Sequence, residues 1–512
     1  MARLKIFCVN CIAVLGGMIF LFLTFYAWSY TKSVGKWEII TTLRDNIGLH
    51  LAALGAALGL ALLLDKVCRG FSDKALHIAV FCIAVAVPAI LLLIVHNVSY
   101  YAEADQYYVY LAASQMVEGS FDMDMLDSYF RVYPYQLGLA WTYAFFFRLF
   151  GTCSYQVLQS VNAVCVGISV YAGFRITREL FPGRAARVWY LICALCFLPL
   201  PLYALFIYGE SMGVCGSLLA IWGFLGYNRP GEEKGKKIGW WVMTVLSVSF
   251  AYLVRGALII VWIAMAIIQF LLFLENKRWK ALFMTLLILA AALGSSSLLQ
   301  SQIERNEGTR LNQGMPAVLC MAMGLQENPE PGKGQGTYNN YDWNLYQECG
   351  LNGEVAKAYA LENIRERFSE WADNPADAVV FFKEKLLNQW TDPTFNVFVM
   401  TDNFEERPRW VEEIYKKESQ AKMSSFLNSC QSVAYLALLA YFIRLAVRKK
   451  TPLACLPGLI LIGGFLFSAI WEAKGRYVYP YVVMALPCIA GSLADFGQSI
   501  RTGLEGRWKA LR

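Results

Sequence analysis

The sequence predicts an all-α polytopic membrane protein with about twelve transmembrane helices, juxtamembrane helices in the first large external loop and a small, mainly helical extracytoplasmic domain. Of the 512 residues, 57% are hydrophobic and only 16% are charged, whereas soluble domains carry about 25% charged residues. The mean hydropathy is +0.43. Apolar runs long enough for a bilayer core, which takes roughly 20 helical residues, recur along the chain. This composition excludes a soluble globular domain, a disordered chain and a disulfide scaffold.

The apolar runs predict the positions of the spans. The first run is too long for a removable signal peptide and has no small-residue cleavage site, so we interpret it as a permanent span. The predicted spans lie near residues 6–28, 49–65, 76–98, 155–175, 187–207, 211–227, 238–254, 257–274, 281–299, 424–445, 453–471 and 478–497.

Lysine and arginine in the short loops predict the orientation. With both termini in the cytoplasm, the cytoplasmic pieces carry 24 basic residues and the short external pieces carry eight, as the positive-inside rule requires. Counting Tyr135–Phe150 as a further span would invert this distribution. We therefore predict a juxtamembrane or re-entrant helix there, with Pro134 in its first turn and Gly151 at its end.

These spans divide the chain into four parts. Residues 1–75 hold two additional N-terminal spans, and residues 76–299 form a transmembrane core with an external loop at 99–154. Residues 300–423 carry 13 basic and 20 acidic residues and form an extracytoplasmic domain. Residues 424–512 hold the last spans and a basic cytoplasmic tail.

The extracytoplasmic domain is predicted to be helical. Apolar residues at helical spacing follow Asn352 and Gly353, and a second helix follows Asn374-Pro375. The Pro-, Gly- and Asn-rich stretch 328–344 predicts a loop. That loop lacks the Gly-Lys-Ser/Thr and helix of a phosphate-binding motif, and the chain has only three histidines, so we predict no nucleotide site and no cofactor. A divalent metal is the alternative, although nothing in the sequence indicates one. Cys320 and Cys349 both lie in this domain and could pair.

Acidic residues at the external ends of spans are the first candidates for chemistry, because ionisable groups near hydrocarbon are costly and usually functional. Glu103 and Asp105 follow the third span directly, ahead of an amphipathic helix with apolar positions from Tyr108 onward. Glu210 lies in the tight turn after the fifth span. Helix capping is the structural alternative for Asp105 and Glu210.

Three external cations are the second set of candidates. Arg255 lies in the turn after the seventh span, and Lys474 and Arg476 precede the last span. Because positive charge is rare in short external turns, we expect an anionic partner, and a phosphate matches the guanidinium fork. Snorkelling to lipid headgroups is the alternative for the arginines. Acids and cations at one external boundary suit glycosyl transfer from a lipid-phosphate sugar.

The order of motifs resembles the GT-C superfamily of polytopic glycosyltransferases, in particular the bacterial branch similar to protein O-mannosyltransferases and aminoarabinose transferases. The motifs are AEADQYY, YPYQLGLAW closing in RLFG, RELFPGRAAR, YGESM and WEAKGRYVYPYVV followed by Pro487. The resemblance spans roughly residues 76–497. It departs from the family where Gln106 follows Asp105 in place of a second acid, and the oligosaccharyltransferase signature of the WWDYG type is absent.

The resemblance implies roles for the candidate residues. Asp105 corresponds to the catalytic base or substrate-orienting carboxylate, with Glu103 as its neighbour and Glu210 as a further acid at an outer helix end. Arg476 corresponds to the residue that contacts the donor phosphate, and Lys474 and Arg255 would assist it.

We therefore predict inverting transfer of a monosaccharide from a polyprenyl-phosphate donor to a cell-surface glycan or protein. Aromatic rings suit sugar faces, so the acceptor platform is predicted at Tyr338, Tyr341 and Trp343, although these rings could equally form the core of the domain. Nothing in the sequence indicates a nucleic-acid partner. A transporter or flippase of lipid-linked sugars is the alternative from another class, and a lipid-linked polysaccharide polymerase or ligase is a further one.

Overall fold

The computed structural model describes residues 2–35, 38–122, 129–277, 279–307, 314–447 and 451–510. The chain is an all-α polytopic membrane protein, as predicted, and its strands form two short antiparallel pairs. The first part of the chain contains α1 (Ala2–Ala27), β1 (Tyr30–Val34), β2 (Ile40–Arg44), α2 (Ile47–Val67), α3 (Asp73–His96), β3 (Ser99–Tyr100), α4 (Asp105–Glu118), α5 (Tyr129–Val132) and α6 (Leu137–Phe150).

The middle of the chain is almost continuous helix. It contains α7 (Tyr155–Leu180), α8 (Arg184–Cys196), α9 (Pro199–Leu202), α10 (Glu210–Tyr227), α11 (Lys234–Val254), α12 (Ile259–Asn276) and α13 (Trp279–Glu307). The last part contains α14 (Ala317–Gly324), α15 (Tyr341–Glu348), α16 (Gly353–Asp373), α17 (Pro375–Trp390), α18 (Val397–Thr401), β4 (Phe404–Glu406), α19 (Arg409–Tyr415), α20 (Lys417–Val447), α21 (Leu456–Ile470) and α22 (Gly475–Ala510).

Within the described ranges, ten helices are long and apolar enough to cross a membrane, and α8 with α9 makes an eleventh candidate that is bent by 56°. The count of twelve stays a prediction. The expected span 211–227 is present as helix α10, which lies outside this set of candidates. Helix α10 packs between α7 and α11 and is buried along most of its length. It therefore presents little surface to lipid and does not need the apolarity of an outer helix.

The outer helices show the reverse pattern. Large apolar side chains of α1 and α3 are exposed, among them Phe7 and Phe25 on α1 and Phe81 and Leu93 on α3. Such surfaces are stable only against hydrocarbon or another apolar partner. The two packing contacts α1 with α20 and α2 with α22 join the N-terminal helices to the C-terminal ones.

Segments 99–154 and 300–423 lie at the same end of the helix bundle, which we call the loop side. The pairing of β3 with β4 joins the two segments. The helices predicted at 135–150 and after Asn352 are present as α6 and α16, and the second helix of the domain is α17. The loop predicted at 328–344 ends earlier, because α15 begins at Tyr341, one residue after Asn340 takes a left-handed conformation.

Candidate active site

Asp105 is the first residue of α4, and its side chain does not cap the helix. Its two carboxylate oxygens accept hydrogen bonds from the hydroxyl groups of Tyr129 (3.0 Å) and Tyr208 (2.9 Å). Burial raises the pKa of both tyrosines, so each stays protonated and donates. Ala104, the residue before, has φ 49° and ψ −132°, a conformation that costs a non-glycine residue about 1–3 kcal/mol and that recurs at functional sites.

Tyr208 connects Asp105 to a cation from the far end of the chain. The face of its ring lies 5.1 Å from the guanidinium carbon of Arg476, within the range of a cation–π contact. Its hydroxyl group, besides donating to Asp105, accepts a hydrogen bond of 2.6 Å from Gln136 Nε2. Asp105 and Arg476 thus both contact the Tyr208 side chain, Asp105 at its hydroxyl group and Arg476 at its ring.

Arg476 is 92% buried, yet its Nε has no hydrogen-bond partner among the described residues. Its guanidinium lies between the rings of Tyr208 and Tyr477 and donates to the Tyr477 hydroxyl at 3.3 Å. No carboxylate of the described residues lies within ion-pair distance of it. A buried guanidinium with a free donor is a favourable partner for an anion.

The backbone of Arg476 is held by the turn that follows α17. Asn396 Oδ1 accepts the Arg476 backbone N–H at 3.2 Å. Asn396 and Phe395 both have positive φ angles, and the Asp392 carboxylate stabilises this turn by accepting the N–H groups of Thr394 and Asn396. The turn from the domain therefore positions the start of α22.

Lys474 lies between two carboxylates. Its Nζ is 2.6 Å from Glu38 Oε1 and 3.1 Å from Glu472 Oε1, and Glu472 also accepts a hydrogen bond from Tyr477 at 2.8 Å. Burial opposes charge on Lys474, but the two carboxylates outweigh it and raise its pKa. The lysine is charged, and its charge is already compensated.

Glu210 and Arg255 form an ion pair with each other, with 2.7 Å between Arg255 Nη1 and Glu210 Oε1. Glu210 is fully buried. Arg255 also lies over the ring of Tyr477, at 5.4 Å, so the pair adjoins the Arg476 cluster. The roles predicted for both residues stay predictions, and the structure gives the pair no net charge.

The remaining predicted residues divide into two groups. Trp343 stacks on Tyr133 at 6.0 Å between ring centres, and Tyr133 in turn contacts the ring of Tyr129. Tyr338 lies 5.9 Å from Lys474 Nζ. Both rings therefore adjoin the site. Tyr341 instead accepts a hydrogen bond from Asn363 and packs in the small core of the domain.

Glu103 is exposed and lies beside Tyr101, and no contact joins it to Asp105 in the part of the chain that the structure describes. Cys320 and Cys349 are free thiols. Among the described residues no group of three or more His, Cys, Asp or Glu could hold a metal ion. Metal-independent activity stays a prediction.

Several residues of this cluster were not predicted from the sequence, among them Glu38, Tyr129, Tyr208, Tyr477 and Asp342. Asp342 is 3% exposed and accepts hydrogen bonds from its neighbour Trp343 N–H (2.8 Å) and from the Cys320 thiol (3.5 Å). Burial raises its pKa to about 6, with a smaller contribution from Glu472. An acid flanked by aromatic residues in NNYDWN was the available signal.

Asp342 makes stability depend on pH in a testable direction. Its pKa is higher in the folded protein than in the unfolded chain, so the folded state binds more protons and loses stability as the pH rises from about 4 to about 6. The shift corresponds to roughly 3 kcal/mol. We expect the Asp342→Asn variant to lose this part of the pH dependence, measured as the melting temperature of the purified protein at pH 4, 5, 6 and 7. If the melting temperatures of the variant and of the parent protein changed equally with pH, this expectation would be wrong.

Gly336 positions the turn that carries Glu472 and Lys474. Its carbonyl accepts the Ala473 N–H at 2.8 Å, its φ is +68°, and a Cβ there would lie 2.5 Å from the Gly324 carbonyl oxygen. We expect Gly336→Ala to lower the free energy of unfolding by about 2 kcal/mol or more, from backbone strain and steric overlap.

The matched control is Gly350→Ala. Gly350 has a φ of +60°, and no atom lies within 4 Å of the added Cβ. The substitution should cost only the backbone strain, about 1 kcal/mol. Denaturation of both variants in detergent compares the two values, and equal losses would show that Gly336 has no steric role.

These helices and buried charges define an integral membrane protein with a polar site at the loop side of its bundle. The chain belongs to a family of conserved hypothetical integral membrane proteins, whose model matches residues 9–493. No curated protein matches the chain.

Two solved structures similar to the chain are transferases. One is the archaeal oligosaccharyltransferase AglB from Archaeoglobus fulgidus, in complex with an inhibitory peptide and a dolichol-phosphate (16% identity, 86% of this chain and 52% of that chain, TM-score 0.43). The other is ArnT from Cupriavidus metallidurans, bound to undecaprenyl phosphate (13% identity, 83% of this chain and 78% of that chain, TM-score 0.37).

Both proteins are glycosyltransferases of the GT-C superfamily, which the sequence motifs resemble. The chain spans about half the length of the oligosaccharyltransferase. At these identities and scores the likeness carries no argument about chemistry, so the function proposed below rests on the side chains of the site.

Proposed function

We propose that this protein transfers a monosaccharide from a polyprenyl-phosphate donor to a hydroxyl group of an extracytoplasmic glycan or protein, with inversion at the anomeric carbon. One observation carries the proposal: Tyr208 joins the Asp105 carboxylate to the buried Arg476 guanidinium. A carboxylate suits proton removal from a hydroxyl group, and a guanidinium suits a phosphate. Their proximity supplies both partners of a phosphate-displacing glycosyl transfer.

In the proposed reaction, the donor phosphate binds Arg476, whose Nε has a free hydrogen. The acceptor oxygen attacks the anomeric carbon from the face opposite the phosphate, and its proton passes to Asp105. The bond between the anomeric carbon and the phosphate oxygen breaks, and polyprenyl phosphate leaves with the electron pair. Because the leaving group is a phosphate anion, stabilisation by Arg476 replaces a general acid.

The tyrosines orient the base. Tyr129 and Tyr208 occupy one position on each oxygen of Asp105, and a carboxylate has about four acceptor positions in all. The remaining positions are available to the acceptor hydroxyl. The tyrosine donors therefore fix the direction of the carboxylate without preventing proton transfer.

The acceptor platform is proposed at Tyr338 and at the stacked rings of Trp343 and Tyr133. Tyr338 and Trp343 belong to the segment 300–423, and Tyr133 belongs to the external loop 99–154. Tyr338 adjoins Lys474, and Tyr133 contacts Tyr129, which donates to Asp105. Flat apolar rings suit sugar faces. Tyr341 has no place in this platform, since it packs inside the domain.

The loop side is proposed to face the outside of the plasma membrane, with both termini in the cytoplasm. The support is the excess of lysine and arginine in the loops of the opposite side. The donor is then a lipid that another enzyme has charged with sugar on the cytoplasmic side and that has crossed the membrane.

The test uses purified protein in liposomes with undecaprenyl-phosphate-linked glucose, mannose and arabinose as separate radiolabelled donors. Cell-wall glycan and a Ser/Thr-rich peptide serve as acceptors. We expect release of undecaprenyl phosphate with at least one donor, together with label in an acceptor. Movement of intact donor between the leaflets without bond cleavage would instead establish a flippase, and intact, unmoved donor in every combination would also contradict the proposal.

A further inference from the structure

The cations predicted to bind phosphate are not equally available. Arg255 is compensated by Glu210. Lys474 is paired with both Glu38 and Glu472, so that group of three side chains has a net charge of −1. Among the described residues of the site, Arg476 alone lacks a carboxylate within ion-pair distance. The charge of Arg476 balances the −1 of that group, so the site offers a phosphate one cation that has no carboxylate partner.

The other charged groups nearby add little positive charge to the site. Lys385 is fully buried and donates to the Gly324 carbonyl oxygen. Burial lowers its pKa to about 7, so it carries only part of a charge at neutral pH. Asp342 lies close enough to Glu472 for the two carboxyl groups to repel each other, and it adds negative charge above its pKa of about 6.

Glu38 comes from the β1–β2 hairpin, which belongs to the N-terminal part that precedes the predicted core. The hairpin is docked on the domain by an ion pair between Lys32 and Glu384 (2.8 Å) and by two backbone hydrogen bonds, Lys32 N–H to the Thr391 carbonyl (3.2 Å) and Ile40 N–H to the Gly332 carbonyl (2.8 Å). Glu38 itself has φ 61°, which is costly for a non-glycine residue. Its position beside Lys474 is therefore imposed by the fold.

We propose that Glu38 is a specificity-determining residue that restricts the site to lipids with a single phosphate and excludes lipids with a diphosphate. The inference rests on the proposed function, since it assumes that Arg476 binds the donor phosphate. A second phosphate group brings at least one further negative charge, for which Lys474, two residues from Arg476, is a neighbouring cation. That cation is already held by Glu38 and Glu472, so the second phosphate meets like charge instead.

The experiment measures binding of undecaprenyl phosphate and undecaprenyl diphosphate to the full-length protein in nanodiscs. For the parent protein we expect the monophosphate to bind at least about tenfold more tightly. Glu38→Gln keeps the shape of the side chain and removes its charge, which leaves Lys474 with one carboxylate. We expect this variant to bind the diphosphate about tenfold more tightly than the parent does, with little change for the monophosphate.

The matched control is Glu330→Gln, which removes the same charge from an ion pair with Lys333 on the surface of the neighbouring loop. It should leave the ratio of the two affinities unchanged. If Glu38→Gln does not fold, Lys474→Gln provides the opposite test, because it leaves Glu38 and Glu472 unpaired and should weaken diphosphate binding further.

The outcomes separate the two proposals. Equal affinities of the parent protein for the two lipids, or a ratio that Glu38→Gln does not change, would overturn the role of Glu38 and leave the transfer reaction standing. Failure of both lipids to bind the parent protein would instead overturn the proposed function, and this inference with it.

Discussion

Replacing Asp105 by Asn is expected to lower the rate of sugar transfer by about 10²- to 10⁴-fold, the range that a general base contributes. The amide is nearly isosteric, and its oxygen can still accept a hydrogen bond from one of the two tyrosines, Tyr129 or Tyr208, while its NH2 group faces the other. The amide cannot take the proton of the acceptor hydroxyl. The turnover of a radiolabelled undecaprenyl-phosphate sugar in liposomes measures the loss, and binding of undecaprenyl phosphate to the same variant should change little.

Two variants make this result specific. Glu118→Gln removes an exposed acid from the other end of α4 and should leave the rate unchanged. Glu103→Gln tests the acid two residues earlier, which makes no contact with the Asp105 cluster in the described part of the chain, and it should lose much less than Asp105→Asn. A full rate for Asp105→Asn, or an equal loss for Glu103→Gln, would contradict the role of Asp105.

Replacing Arg476 by Gln is expected to weaken binding of undecaprenyl phosphate by about 100-fold, because removal of one member of a buried charge pair costs roughly 2–5 kcal/mol. The variant also removes the only cation of the described site that has no carboxylate partner, so the rate of transfer should fall with the affinity. The affinity of Arg476→Lys for undecaprenyl phosphate should lie between the affinities of Arg476→Gln and the parent protein, since an ammonium keeps the charge but lacks the planar fork.

Arg409→Gln is the control for this measurement. It removes an arginine from the exposed surface of α19 and should bind the lipid as the parent protein does. Unchanged binding in Arg476→Gln would show that the phosphate lies elsewhere and would remove the main support for glycosyl transfer.

The helices could be predicted from the sequence because their signals are local. Apolar length and flanking charges placed each of the long helices, and Pro134 and Gly151 correctly bounded the short helix α6, with a 3₁₀ turn at Pro134–Gln136 and the left-handed Gly151 at its end. The bend between α8 and α9 and the buried position of α10 were not predicted. Both depend on which neighbours a helix meets, and hydropathy alone does not report neighbours.

The site could be predicted only in part, for the same reason. Asp105 and Arg476 stood out as charges at the ends of apolar runs, and the structure brings them together. Tyr208 links the two and opens the motif YGESM, but an uncharged tyrosine among 28 gave no sign of this contact. Glu38 lay in a segment interpreted as additional to the core, and only the docking of the hairpin reveals its contact with Lys474.

The charge pairs could not be predicted either. Glu210 and Arg255 are 45 positions apart, and Glu38 and Lys474 are 436 positions apart. Only a turn separates Glu472 from Lys474. The sequence predicted Glu210, Arg255 and Lys474 as independent groups and gave no role to Glu38 or Glu472. The structure shows that most of them neutralise one another, which leaves Arg476 as the group that we propose to bind the anion.

The most direct test of this account is a cryo-electron microscopy structure of the protein with undecaprenyl phosphate bound in a nanodisc. We expect the phosphate within hydrogen-bond distance of the Arg476 guanidinium, with the polyprenyl chain leaving between helices on the loop side. A cavity of about 560 Å³ lies at the opposite side of the bundle, lined by Arg69, Arg184 and Asp495 among others. Phosphate density in that cavity, with none at Arg476, would contradict the account.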